Sequence, residues 1–392
     1  MTKTLKILYV GHRYHTNQIP IMEGWNEHGV RPMFLAQYEG IGEVHDHVEF
    51  QLMKLSLFCK PLFYYYDKRY NPVVAENKKL NTYIPSLRKT ILQIKAYSPD
   101  IVIIREFKKG NAVVALACKI LGIKNIIMYV QDPLYGKNYQ GHPLRAFFRK
   151  FFFPSVVFTP VLRKGNNRST TKLSDAYDAP KYFVPLVFPA SKKKRDFYCK
   201  DGIIHILDIG KYREYKNHFF LVDAIKEIKD VSKISVTIIG QLSNSAERDY
   251  YNRLENYIKA NDLDNVIKLY KDVSYHEMDM LYKSHDLLVL CSRNETAGMV
   301  ILEAMAHGLF VLSSIYCGLG SYLDEYDCGL LFPINTPCKL AAQIEKCVET
   351  PSVIREMGKK SQSVVAEKFS FESYLRELSK MVEKEYNYAI QL

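Results

Sequence analysis

DLLVLCSRNETAGMVILEAMAHGLFVLSS, residues 286–314, sets a short apolar run (DLLVLCS, 286–292) before a polar loop. A helical stretch beginning near Gly298 follows, then a second apolar run, LFVLSS (309–314). Short runs rich in branched aliphatic residues suit strands buried on both faces of a parallel sheet. The same alternation extends upstream: IIHILDIG (203–210), ISVTIIG (234–240) and VIKLYKD (266–272) are separated by the helical stretches HFFLVDAIKEIK and AERDYYNRLENYIKAND. Earlier in the chain it occurs as a separate series: LKILYVG (5–11), RPMFLAQ (31–37), IVIIRE (101–106), IIMYVQ (126–131) and SVVFTP (155–160). Strand and helix alternating twice over predict an α/β protein of two doubly wound, Rossmann-like domains.

The break is expected in PLVFPASKKKRDFYCKDG (185–202), which combines two prolines, a glycine and a basic run. The expected division is an N-terminal domain over 1–190, a C-terminal domain over 200–370 and a closing segment over 371–392. With 392 residues, 47% of them hydrophobic, the chain can bury two cores. In open α/β sheets ligands sit beyond the carboxyl ends of the strands, so two such domains facing each other would place a site in the cleft between them.

The eight cysteines contain no C-x-x-C pair and no metal or disulfide spacing, which reads as reduced thiols and a cytoplasmic setting. The apolar run in MTKTLKILYVGHRYH is too short for a signal-peptide core, and the longest run, FFFPSVVFTPVL (151–162), falls short of the ~20 residues of a membrane span. No metal is expected. The Asp262-Leu263-Asp264 string reads as a helix-end turn, and His45 and His47 lack further ligands nearby. No G-x-G-x-x-G follows an expected strand, which argues against a dehydrogenase.

Glu295 falls in the polar loop, whereas Glu303 lies within MVILEAMA, where burying a carboxylate is costly unless something hydrogen-bonds to it. Taken alone, both could be solvated surface charges. Yet E-T-A-G-M-V-I-L-E, followed by A-M-A-H-G, resembles the E-x(7)-E motif of retaining GT-B glycosyltransferases of the family 4 type (glycosyl transferases group 1). GKYREYKN (210–217) resembles that family's basic loop, CGLLFPINTPCKLAAQI (328–344) its G-L-L-x-P segment, and FSFESYLREL (369–378) its closing helix, which crosses back to the N-terminal domain.

The resemblance implies a GT-B fold and transfer of a sugar from a nucleoside-diphosphate sugar with retained anomeric configuration. Glu303 would accept hydrogen bonds from the ribose hydroxyls and Glu295 would reach the donor sugar. Thr296, Ala297, Gly298 and Met299 would offer backbone N–H groups to the diphosphate, Gly298 allowing close approach. Arg213 and Lys216 would stabilise the departing phosphates, with Lys211 a competitor because it stands where the family commonly has arginine. No cofactor beyond the nucleotide-sugar co-substrate is implied. Ala297 and Phe310 also depart from the family's usual residues, which leaves the sugar open.

In the N-terminal half the family's usual Gly-Gly pair is absent, leaving Gly11, His12 and His15 through Gln18 to line the cleft. Gln131-Asp132 stands where a His-Asp pair is common, so Asp132 is a candidate for orienting a sugar, or a turn residue. The net charge of +12 is unevenly divided: residues 1–200 hold 32 Lys+Arg against 14 Asp+Glu, residues 201–392 hold 22 against 28. Aromatic residues accompany the excess in KPLFYYYDKRY (60–70) and in HPLRAFFRKFFFPSVVF (142–158). Arg145, Phe148, Arg149 and Phe152 are the expected contacts with an anionic membrane surface, and the same phenylalanines could instead be core.

The reading is a glycosyltransferase of surface polysaccharide or glycolipid synthesis, peripheral on the cytoplasmic membrane face, with a saccharide or lipid-linked acceptor. Its competitors are a nucleic-acid-binding protein, disfavoured by the absence of any such module, and a GT-B subunit without transfer activity.

Overall fold

A computed structural model describes residues 4–40, 43–106, 108–131, 151–154, 156–161, 181–191, 195–295 and 297–392. Seven strands form the first sheet: β1 (Ile7–Gly11), β2 (Met33–Ala36), β3 (Glu49–Leu52), β4 (Ile101–Arg105), β5 (Ile126–Tyr129), β6 (Val157–Thr159) and β7 (Lys181–Phe183). Their order is β3-β2-β1-β4-β5-β6-β7. The second sheet is built from β8 (Ile204–Ile209), β9 (Ile234–Gly240), β10 (Ile267–Lys271), β11 (Leu287–Leu290), β12 (Phe310–Ser314) and β13 (Gly329–Phe332), in the order β10-β9-β8-β11-β12-β13. All pairings between these strands are parallel.

The central strands are buried along their whole length in β1, β2 and β11, as unbroken aliphatic runs require. The expected runs all become strands, whereas β3, β7 and β13 were not anticipated as such. The first two are short and polar, and β3 and β13 are only partly buried. All three are edge strands, where one-sided burial relaxes the need for an apolar run. In each sheet the strand order reverses once, between β1 and β4 and between β8 and β11. Those reversals are the switch points at which loops on the carboxyl edge diverge and leave a crevice.

The helix after β11 covers Val300–Ala306, two residues later than its sequence suggests, because Gly298 adopts φ +76°. That left-handed turn cannot be the first residue of a right-handed helix. The last helix, Phe371–Tyr386, buries Phe371, Tyr374, Leu378, Met381 and Val382, spaced as one helical face. Although it follows the second sheet in the chain, that face packs with Leu5, Ile7, Trp25 and Ile101 of the first. Trp25 Nε1 donates to Tyr9 Oη at 2.7 Å, and Tyr9 Oη lies 2.9 Å from Tyr374 Oη, so these buried polar tips are answered within the contact.

Val161 and Leu186, which follow β6 and β7, share one apolar cluster with Leu290, Ala297 and Ile301. This contact turns the carboxyl edges of the two sheets towards each other. The connecting segment is tied to the second half, where Arg195 pairs with Asp286 at 3.1 Å and the carboxylate also accepts from the backbone N–H groups of Cys199 and His205. Among the described residues no helix is long and apolar enough to cross a membrane.

Candidate functional site: the two switch points

The loops leaving β8 and β11 supply the first group of candidates. Lys216 is buried, and its ammonium donates to Glu295 Oε2, to which Ser292 Oγ also donates at 3.3 Å. Burial works against the lysine's charge, but the Glu295 carboxylate more than offsets this and holds the ammonium above the usual lysine range. The lysine stem runs over Gly210, where an added Cβ would stand 2.8 Å from Lys216 Cδ.

The two loops are stitched together beneath this pair. Asn217, at φ +61°, donates to the Cys291 carbonyl at 3.3 Å and accepts from Arg293 Nε at 3.0 Å, while Arg293 N donates to the Tyr215 carbonyl at 2.7 Å. His218 and Asp208, both fully buried, lie 2.8 Å apart below the loop. The loop that carries the cation and the loop that carries the carboxylate therefore form one preorganised unit.

Glu295 N and O are both engaged, with the carbonyl of Tyr316 (3.2 Å) and the N–H of Gly318 (3.0 Å). Its side chain therefore projects from a fixed backbone. Ala297 and Gly298 are buried behind it and Met299 is half-buried as the helix cap. Thr296 lies outside the described residues. Glu303, on the first turn of the helix, is half-buried and accepts a 2.5 Å hydrogen bond from Tyr282 Oη, which resolves how a carboxylate is tolerated in so apolar a helix. Tyr282 stacks on His307, with ring centroids 4.8 Å apart, and His307 Nε2 lies 3.0 Å from Asp279 Oδ1. Tyr282 was not anticipated from the sequence.

Of the other two cations, Lys211 is exposed. Arg213 is tied to the buried Glu247, with Nε 2.6 Å from Oε1. Nε and Nη2 both meet that carboxylate, which fixes the guanidinium while the side chain stays 43% exposed.

At the other switch point Gly11 is buried at the end of β1, and His12 Nδ1 lies 2.5 Å from Gln37 Oε1. His15 is half-buried, and its backbone N–H donates to Gln18 Oε1 at 3.2 Å. Burial first, then the charges of Arg105, Arg13 and His12, push the His15 imidazolium down to about 4. Arg105, the last residue of β4, reaches across this edge and was also missed in the sequence. Asp132, Arg145, Phe148 and Arg149 lie outside the described residues, and Phe152 is half-buried. Asp262 adopts φ +56° in the turn after a helix, and His45 stacks on Phe50 at 3.8 Å. Among the described residues no group of His, Cys, Asp and Glu is placed to hold a metal ion.

Residues 191–364 match the family model of glycosyl transferases group 1. Among curated proteins the chain is 28% identical over 180 residues to a D-inositol 3-phosphate glycosyltransferase of Arthrobacter sp. (strain FB24), covering 45% of this chain and 41% of that protein. The chain thus spans less than half the length of the curated relatives it first matches. Among solved structures it resembles a glycosyltransferase from Rickettsia africae (TM-score 0.69, 18% identity, 98% of this chain and 100% of that one). It also resembles Anabaena Alr3699/HepE in complex with UDP (TM-score 0.71, 15% identity, 97% and 100%), a protein also solved with UDP-glucose. The fold over the whole chain is that of GT-B glycosyltransferases.

Proposed function

We propose, from a glycosyl transferases group 1 domain set in a GT-B fold, that this chain is a retaining glycosyltransferase. It moves a sugar from a nucleoside-diphosphate sugar to a saccharide or lipid-linked acceptor in surface polysaccharide or glycolipid synthesis. The observation that carries this reading is the meeting of Lys216, Glu295 and Gly298 at the carboxyl edge of β8 and β11, one turn from Glu303. A cation and a close backbone approach suit a diphosphate, and the two carboxylates suit the donor sugar (Glu295) and the ribose (Glu303).

In this reading Lys216 exchanges Glu295 for the diphosphate, and Glu295 turns to the donor sugar's hydroxyls. Glu303, already oriented by Tyr282, accepts from the ribose. The bond between the anomeric carbon and the phosphate oxygen breaks as the acceptor oxygen bonds to the same face. The acceptor's proton passes to the departing phosphate, so no separate base is needed. Lys216, with Arg213, offsets the charge that develops, and no metal is called for.

Calorimetry against UDP-, GDP- and ADP-sugars tests the donor site, and unchanged binding by Glu303→Ala would contradict its role. The anomeric configuration of the product, read by NMR, tests retention; an inverted product overturns it.

A seat on the cytoplasmic membrane face is favoured by one surface. The helix Lys60–Arg69 buries none of its residues, and just before it Leu57 is 72% and Phe58 94% exposed. Residues 57–95 hold eight lysines and arginines against Asp67 and Glu76. Apolar side chains among cations suit an anionic lipid surface, each cation contributing about 1 kcal/mol. This favours a contact earlier in the chain than Arg145–Phe152. Flotation with anionic vesicles should be salt-sensitive and weakened by Phe58→Ser; equal flotation with neutral vesicles, or none, removes the membrane part.

A further inference from the structure

We infer that Arg105 anchors an anion-binding subsite on the N-terminal half, and that the acceptor carries a phosphate or carboxylate group which this guanidinium receives. The inference rests on reading that half as the acceptor side.

Position is the first ground. Arg105 closes β4, and β4 borders β1 at the point where the strand order of the first sheet reverses, so its side chain stands at the mouth of the crevice. The second ground is how the side chain is held. Nη1 donates to Gln18 Oε1 at 3.3 Å, Nη2 donates to Gln131 Oε1 at 2.6 Å, and the guanidinium lies 5.7 Å from the centre of the Tyr129 ring. Both partners are neutral amides, and no carboxylate among the described residues lies within ion-pair distance of it.

A half-buried guanidinium fixed by neutral groups from two other loops, with no carboxylate partner among the described residues, has further N–H groups with which to meet a planar or tetrahedral oxyanion. A second guanidinium, Arg13, stands nearby with Nε and Nη2 3.4 and 3.3 Å from the His15 ring, and it pairs with Glu43 at 3.9 Å. The charge of Arg105 adds to burial in lowering the His15 titration. Asn17 lines a small cavity of about 20 Å³ beside Arg105 and Tyr129, with room for about one water, and its buried Oδ1 has no hydrogen-bond partner among the described residues. The guanidinium alone therefore carries the subsite, and the group it receives is an oxyanion, phosphate or carboxylate.

The test follows the His15 ring by NMR, its signal assigned by its loss in His15→Gln, during titration with inorganic phosphate, glucose 6-phosphate, glucuronate and glucose. Saturable shifts with inorganic phosphate and with at least one of the acidic sugars, absent with neutral glucose, are expected. Whichever acidic sugar binds more tightly identifies the group. Arg105→Gln should weaken that binding at least ~10-fold, with Arg105→Lys intermediate, and unfolding midpoints of both variants monitor the fold. No saturable shift with any anion, or the same affinity in Arg105→Gln, overturns the inference. Donor calorimetry separates the two readings. Donor binding without an anion response removes only this subsite; an anion response without donor binding removes the glycosyltransferase reading.

Discussion

At Lys216 and Glu295 the pair that would serve a donor also satisfies itself, so each residue has a stability role beside its proposed chemical one. Removing one partner of a mostly buried ion pair leaves the other charge uncompensated, and Lys216→Ala should lower the unfolding midpoint as well as donor binding. Glu303 differs, because Tyr282 Oη holds one oxygen and leaves the other for a ligand. Glu303→Ala should weaken nucleotide-sugar binding ~10- to 100-fold, as loss of hydrogen bonds to a charged group does, and Tyr282→Phe much less. Calorimetry on the two variants distinguishes contact from orientation. His15 adds a pH dependence. Its folded-state titration lies at about 4, below its ordinary value of 6.5 in the unfolded chain, so between these limits the unfolded state binds the extra proton. Stability is complete above about 6.5 and falls as pH drops towards 4. Denaturant unfolding at pH 7 and pH 4.5 should show a smaller difference for His15→Gln than for the parent protein.

Elements, more than single side chains, determine where these groups stand. The turn after β8 returns so tightly that Lys216 passes directly over Gly210, and Gly210→Ala would press a Cβ to within 2.8 Å of the lysine stem. The expected outcome is weaker donor binding, read by calorimetry, with a change in unfolding midpoint smaller than that of Lys216→Ala. Central strands such as β1 and β11 are legible in the sequence because burial on both faces demands continuous aliphatic runs. The edge strand β3, EFQL, carries no such demand and passes unseen. Glu295, Gly298 and Glu303 are legible for a related reason: one strand–loop–helix unit places all three, so their spacing survives in the linear sequence. Arg105 is not, since its partners lie 87 and 26 residues away on other loops. Nor is Tyr282, which precedes Glu303 by 21 residues on a different helix. Arg213 is a candidate because GKYREYKN resembles the family's basic loop, but its partner Glu247, 34 residues distant on a helix, leaves no such mark in the sequence.

Over the whole molecule the charge is divided as the proposed tasks are. The half read as binding the donor has more acidic than basic residues and needs only a few placed cations, whereas the excess on residues 1–200 includes the basic, aromatic segment 57–95 and Arg105, which has no carboxylate partner among the described residues. The halves are also joined twice along the chain, through residues 185–202 and again where the last helix crosses back, and the two crossings meet where the Phe188 N–H donates to the Phe369 carbonyl at 2.8 Å. That helix completes the first core with Phe371, Tyr374 and Leu378 against Trp25, and each large apolar side chain so buried contributes about 1.5–3 kcal/mol. Contributions of this size are comparable with the ~5–15 kcal/mol net stability of a domain, so the first half depends on the end of the chain for its fold. Tyr374→Ala should cost about 3–5 kcal/mol through the cavity it opens and through the hydrogen bond lost at Tyr9. Because the cavity lies in the first core, the expected result by scanning calorimetry is an earlier transition for the N-terminal half, with the C-terminal half melting and binding nucleotide as before. A single transition displaced as a whole would show instead that the two halves unfold as one unit.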